Sequence, residues 1–140
     1  MKYLVDTCVL SELAKSKPNV RVVQWLKEHA RGNLFFVSAV TIGEIMEGIE
    51  SLPDEDSRKN RLREWFENKI LKRYEGSIID FDRPSALTWG EIKGRTNRIG
   101  RARPDLDAQI AATAVAYDMT VLTRNVSDME YTGATVENPF

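Results

Sequence analysis

Four short apolar runs divide this chain and limit what it can fold into: Tyr3-Leu4-Val5, Leu34-Phe35-Phe36-Val37, Ile78-Ile79 and Val121-Leu122. Each reads as a buried strand, and between them lie segments with helical spacing. Residues 8–16 carry Val9, Leu10 and Leu13 on one side. Asn19 can cap a helix with Val22, Val23, Leu26 and Ala30 that Gly32 ends. Residues 40–52 group Ile42, Ile45, Met46 and Ile49. Residues 56–74 read as one long charged helix with Leu62, Trp65, Phe66, Lys69 and Ile70 in a stripe. Pro84 opens a helix with Leu87, Trp89 and Ile92, and 105–117 is Ala-rich with Leu106, Ile110, Ala114 and Tyr117 inward. A last short strand is expected near Thr135-Val136. Strand and helix alternate without repeat or linker. The pattern predicts one α/β domain over residues 1–140, a central parallel sheet of four to five strands with helices on both faces.

Composition excludes several classes. No apolar stretch approaches the roughly 18 residues that a membrane span needs. The single cysteine, Cys8, rules out an internal disulfide framework, and one histidine beside it argues against a zinc site. The N-terminus is too soon acidic for a signal peptide, so a cytoplasmic protein is expected. The net charge of −1 weighs against broad polycationic binding to nucleic acid, although a local basic patch is present. No GxxxxGK[ST] loop points to nucleotide triphosphates.

The carboxylates are more informative. Asp6 follows the first apolar run, and Thr123-Arg124-Asn125 follows the fourth. Glu44 and Asp107 lie near the starts of two amphipathic helices. Ligands of open α/β sheets bind at the carboxyl ends of the strands. If those helices start there, three carboxylates meet. Such a cluster suits a hard divalent cation and metal-assisted phosphodiester hydrolysis. Each acid also has a plain structural reading. Asp6 can cap the helix that follows. Glu44 can close a capping box with Thr41. Asp105 makes a natural cap and Asp107 favours the helix dipole, yet Asp107 shares a face with Ile110 and Ala111, where a carboxylate needs a partner. Asn125 can be a turn residue, and Asp80 and Asp82 caps or turn acids. The mixed charges of 54–64 look like an exposed helix face. Lys93, Arg95, Arg98, Arg101 and Arg103 precede Asp105 with no acid among them, either as a solvated face or as an edge for phosphates.

Val5-Asp6-Thr7, the segment from Ser38 to Glu44, the segment from Asp107 to Ala114, and Thr123-Arg124-Asn125 together resemble PIN-domain ribonucleases, most nearly the VapC/FitB-like toxins of toxin–antitoxin pairs. The resemblance covers essentially the whole chain. It implies a PIN-like doubly wound sheet and an endoribonuclease dependent on Mg2+ or Mn2+. It implies a homodimer, an RNA substrate and a small antitoxin that blocks the site. Asp6, Glu44 and Asp107 match the family's three acids, and Thr7 and Thr123 its nearby hydroxyls. Asn125 falls where many members carry a fourth acid, with Asp128 close enough in sequence to substitute. Cys8 stands where Asn is frequent. Arg95, Arg98, Arg101 and Arg103 would contact the RNA backbone. Two other readings remain open at this level: a phosphatase- or receiver-like domain with an acidic pocket, and a non-catalytic binding module whose acids only cap helices.

Overall fold

Alternation along the first strand sets the layering. In the computed structural model, which describes Met1–Phe140, β1 (Lys2–Val5) sends Tyr3 and Val5 into one core and Leu4 into the other. The remaining strands are β2 (Leu34–Ser38), β3 (Ile78–Ile79), β4 (Thr120–Leu122) and β5 (Thr135–Glu137). All five are parallel, in the order β3-β2-β1-β4-β5. Their crossovers contain α1 (Thr7–Leu13), α2 (Val20–His29), α3 (Ala39–Glu50), α4 (Arg58–Trp65), α5 (Arg83–Arg98) and α6 (Asp105–Ala116). One core joins Tyr3 and Val5 to Val9, Leu10, Val22, Ile45 and Phe66. The other joins Leu4 to Ile92, Ile110, Val121 and Met129. The sheet is therefore covered on both faces, as the apolar runs required.

Local chemistry explains the helix ends. Asn19 Oδ1 accepts from Arg21 N, and Asp82 Oδ1 accepts from Ser85 N with Pro84 in the first turn of α5. In α6, Ala108, Ala111, Ala112 and Ala114 are all fully buried. Their small side chains let this helix lie close to both the sheet and α5, its most extensive helical neighbour.

Several sequence expectations are corrected. Asp105 is not the cap of α6: Pro104 holds that position, and Asp105 pairs at 2.7 Å with Lys93 Nζ. Leu106, expected inward, is 43% exposed because it lies in the first turn, ahead of the buried stretch. Leu87 is 64% exposed. The face of α5 that is buried runs through Ser85, Ile92 and Thr96, and Leu87 lies about 200° around the helix from Ser85. Met46 is partly exposed beside the buried Ile45.

The expected helix over 56–74 is interrupted. After Trp65 the chain widens into a π-helical stretch, Phe66–Leu71, and Lys72 N reaches back five residues to Glu67 O at 3.2 Å. The wide turn buries Phe66 and Ile70 together and leaves Lys69 in solvent. Nor is 54–64 simply exposed. Lys59 is buried, and its ammonium donates to Leu52 O at 3.0 Å and Asp54 Oδ1 at 2.9 Å.

Phe66 is the bulkiest fully buried side chain. Phe66→Ala is expected to cost about 3–5 kcal/mol. Leu62→Ala, at a half-buried position, should cost clearly less. Urea unfolding midpoints at unchanged slope check both. Equal losses would contradict the placement of the π turn.

Candidate active site

From β1 the chain crosses to β2 on one side, whereas β4 and β5 lie on the other. Neighbouring strands whose connections leave in opposite directions open a crevice at their carboxyl ends. Here that crevice lies between β1 and β4. Val5 is in register with Leu122, so Asp6 and Thr123, the next residues, come together. Asp6 N donates to Leu122 O at 3.0 Å, which carries the strand pairing one residue further.

Asp6 is buried and fully engaged. Its Oδ1 accepts from Thr7 N at 2.8 Å, capping α1, and its Oδ2 accepts from Thr123 Oγ1 at 2.7 Å. The cap reading was therefore correct, and the same carboxylate also faces the crevice. Thr123 is buried and receives Asn125 N on its hydroxyl at 3.0 Å. Thr7 Oγ1 donates to Glu44 Oε1 at 3.1 Å, tying α1 to α3.

Glu44 has no capping role. Ser38 caps α3, its Oγ accepting from Val40 N, and Thr41 lies inside the helix with its hydroxyl buried. The capping-box reading is overturned because α3 begins directly after β2, with Ser38 rather than Thr41 as its cap. Burial pushes the Glu44 carboxyl above the usual carboxylate value. The charges of Asp6, Asp107 and Glu47 push it further, against the lowering effect of the Thr7 hydrogen bond. Asp107 is raised by burial first, then by Asp128 and Asp6, with Arg103 opposing. Acids from the end of β1 (Asp6), α6 (Asp107) and the 3-10 turn Val126–Met129 (Asp128) thus repel the charged forms of Glu44 on α3 or of Asp107.

Asn125 contributes its backbone N–H through Thr123, and its residue is exposed. The acid that couples to Asp107 is Asp128. Cys8 has a place that the sequence did not suggest. Its Sγ lies 3.3 Å from Thr123 Oγ1, donates to Asp6 Oδ2 at 3.7 Å and accepts from Arg124 N at 3.4 Å. Burial raises its thiol pKa, so it is held as a thiol beside the carboxylate. Its position directly after Asp6-Thr7 was the available signal.

Of the basic segment, Arg103 acts on the charge of Asp107. Arg103 Nη1 donates to Ser127 O at 3.0 Å, and Lys93 Nζ to Arg103 O at 2.7 Å. Arg95 Nη2 donates to the carbonyls of Tyr131 and Thr132 at 3.1 and 3.2 Å. Arg98 and Arg101 are exposed.

No three of these acids stand close enough to enclose an ion as they are. Their chemistry nevertheless suits one. The converging donors are carboxylate and hydroxyl oxygens, the preference of a hard divalent cation. A positive charge there would relieve the repulsion that raises Glu44 and Asp107.

The raised carboxyls have a cost in the metal-free protein. A carboxyl whose folded pKa exceeds its unfolded one favours the fold while protonated. Stability then falls as pH rises from the ordinary carboxylate range through the raised value. Glu44→Gln keeps an oxygen for Thr7 and removes the charge. Its Tm in EDTA should exceed that of wild type at neutral pH, and the gap should close in acid. A lower Tm at neutral pH would show that Glu44 is held as a favourable anion.

Comparison with known proteins agrees with this architecture. The PIN domain family model matches residues 3–128. The toxin FitB of Neisseria gonorrhoeae is 34% identical over 137 residues, 98% of this chain and 97% of that protein. A VapC ribonuclease, Y4jK of Sinorhizobium fredii, is 29% identical over 98% of this chain and 96% of its own. The crystal structure of FitAcB from Neisseria gonorrhoeae superposes with a TM-score of 0.86 at 34% identity, over 99% of this chain and 98% of that one. The chain belongs to the PIN-domain family, and its relatives there include FitB- and VapC-type toxins.

Proposed function

We propose that this chain is the toxin of a toxin–antitoxin pair: a single-domain endoribonuclease that hydrolyses RNA phosphodiester bonds with Mg2+ or Mn2+ held by Asp6, Glu44 and Asp107. The observation that carries the reading is the bonded cluster at the β1/β4 crevice, where Thr123 holds Asp6 and Thr7 holds Glu44, with the charge of Asp107 acting on Glu44. Helix capping alone does not account for it, since Glu44 caps nothing. The receiver-like alternative is disfavoured because Arg124, after the last core strand, lies with its guanidinium over the Phe140 ring at 4.1 Å rather than at Asp6.

In this reading Thr123 and Thr7 are positioning residues that fix the rotamers of Asp6 and Glu44. Asp128 supplies the fourth charge in place of Asn125. A cation bound there supplies an activated water at neutral pH and neutralises charge on the phosphate under attack. Arg98, Arg101 and Arg103 meet backbone phosphates, and Arg95 adds charge while holding the adjoining loop. An RNA substrate places the work in the cytoplasm.

An antitoxin is the second partner of the proposal. An apolar groove of about 510 Å³ runs between α1, α2 and the π turn, lined by Leu10, Leu13, Leu26, Phe35, Trp65 and Ile70. Lys69 and Arg73 stand at its margin. The groove suits the apolar face of an amphipathic helix with acidic flanks. A homodimer completes the assembly, and the exposed Leu87 on α5 is the kind of side chain that a second copy would cover.

The test is cleavage of a labelled RNA pool by purified protein with magnesium, with manganese and with EDTA. Wild type should cleave only with metal. Asp6→Asn and Asp107→Asn should lose cleavage while remaining folded by circular dichroism. Full activity in either variant, or cleavage in EDTA, would overturn the site. A wild type without activity on any RNA would overturn the ribonuclease reading.

A further inference from the structure

The carboxyl ends of β4 and β5 hold a cation that the acidic cluster does not engage. The two strands run parallel, so the chain leaves both at the edge of the sheet where Asp6 lies. Arg124 is the second residue past β4. Its backbone N donates to Cys8 Sγ at 3.4 Å, and that sulfur donates to Asp6 Oδ2 at 3.7 Å. A single sulfur atom therefore bridges the Arg124 backbone and the Asp6 carboxylate. The Arg124 side chain is exposed, and its Cζ stands 4.1 Å from the centroid of the Phe140 ring.

The ring that carries this guanidinium is itself fixed. Thr123 N donates to Glu137 O at 3.0 Å, tying the ends of β4 and β5 together. Glu137 accepts from Trp25 Nε1 and from the Tyr3 hydroxyl, both at 3.1 Å. Beyond it Pro139 is buried, Phe140 N donates to Asn138 Oδ1 at 3.0 Å, and the Phe140 ring packs on the core of Tyr3 and Val5. An arginine loses much rotamer freedom when it binds a ligand. Here the stack restricts that freedom in advance. A guanidinium stacked by its face keeps its N–H donors, which point outward in its plane, for a partner at the rim. Those of Arg124 are bonded to no oxygen of the chain. Arg95 and Arg103, by contrast, are bonded to the carbonyls of Tyr131, Thr132, Arg101 and Ser127.

A preset, exposed fork of donors fits two oxygens of one phosphate. Because the guanidinium does not stand at Asp6, the phosphate it meets is a neighbour of the one under attack. It also lies on its own side of the edge. Phe140 belongs to the face of the first core, whereas Asp107, on which Arg103 acts, rides on α6 over the second. We propose that Arg124, carried on the Phe140 ring, is a phosphate-binding residue of the RNA site, so that the substrate backbone crosses the acids between Arg103 on one face of the sheet and Arg124 on the other. This rests on the ribonuclease reading and adds the path of the substrate to it.

The experiment compares wild type with Arg124→Ala, Arg124→Lys, Phe140→Leu and the double variant Arg124→Ala/Phe140→Leu in the full chain. Kd for a labelled RNA oligonucleotide is read by anisotropy across a salt series in an Asp107→Asn background, and KM and kcat in the active background. Arg124→Ala should weaken binding roughly five- to tenfold. It should also lower the slope of log K against log salt by about 0.7, the share of one phosphate on a single strand. The loss should fall in KM with kcat unchanged. Arg124→Lys keeps the charge without the fork, so it should restore the slope and only part of the affinity. Phe140→Leu keeps the apolar packing and removes the stacking face. It should weaken binding less than Arg124→Ala and add nothing in the double variant. A wild type that cleaves RNA beside an Arg124→Ala variant with unchanged Kd and salt slope would overturn the phosphate contact and leave the ribonuclease standing. A weaker Kd at unchanged slope, with a lowered Tm, would overturn it too, assigning Arg124 a structural role only. Additive losses in the double variant would overturn the part given to Phe140. A wild type that neither binds nor cleaves RNA would overturn both readings.

Discussion

The hydrogen bond from Thr123 Oγ1 to Asp6 Oδ2 closes the one gap that a parallel sheet of this order leaves open. At 2.7 Å and buried, it joins the ends of β1 and β4 just where their chains part. The other oxygen of Asp6 starts α1, and α1 through Thr7 orients Glu44 on α3. One carboxylate thus ties together the two central strands, the first helix and, indirectly, a second acid. A hydrogen bond to an ionised acceptor is worth more than a neutral one, and burial raises the penalty for leaving it unmade. The acid is anchored before any cation arrives.

Stability and function pull apart at this edge. Asp6 is matched by donors, whereas Glu44 and Asp107 are raised by burial and by each other's neighbours. The fold tolerates them because its two cores lie beneath the sheet edge, on opposite faces, and do not depend on it. Small residues on α6 do much of that work. Fully buried alanines hold the helix against sheet and α5, and Asp107 rides on the first turn of a rigid element. A cation that binds the folded state alone would stabilise it by mass action, turning the local repulsion into affinity.

Much of this was legible in the sequence. The apolar runs marked four strands, and strand ends and buried helix faces left a periodic mark that singled out Asp6, Thr123, Glu44 and Asp107 as candidates. What failed is what period alone does not encode. The i→i+5 bonds at Phe66–Leu71 cannot be seen in a stripe of apolar residues that fits an ordinary helix equally well. The burial of Lys59 depends on a carbonyl and an acid from the preceding turn. Ser38 won the cap from Thr41 because α3 leaves β2 without a loop. Cys8 was missed for a related reason: it matters through Thr123, more than 25 residues away.

In the proposed site, Asp128 stands in for an acid at Asn125, with local geometry replacing a residue identity. Asn125 brings no charge, yet its backbone N–H holds Thr123, and its carbonyl accepts from Asp128 N at 3.1 Å. That second bond starts the 3-10 turn of Val126–Met129. Such a turn brings residues three apart to the same side, so the charge missing at Asn125 returns at Asp128, where it raises Asp107. Met129 is buried in the second core and anchors the turn from below, and Arg103 grips Ser127 from the side. The chain then climbs directly into the strained Tyr131. The segment after β4 therefore holds Asp128 on one short, pinned stretch, so that a substitution loosening the turn would also disturb the charge that acts on Asp107.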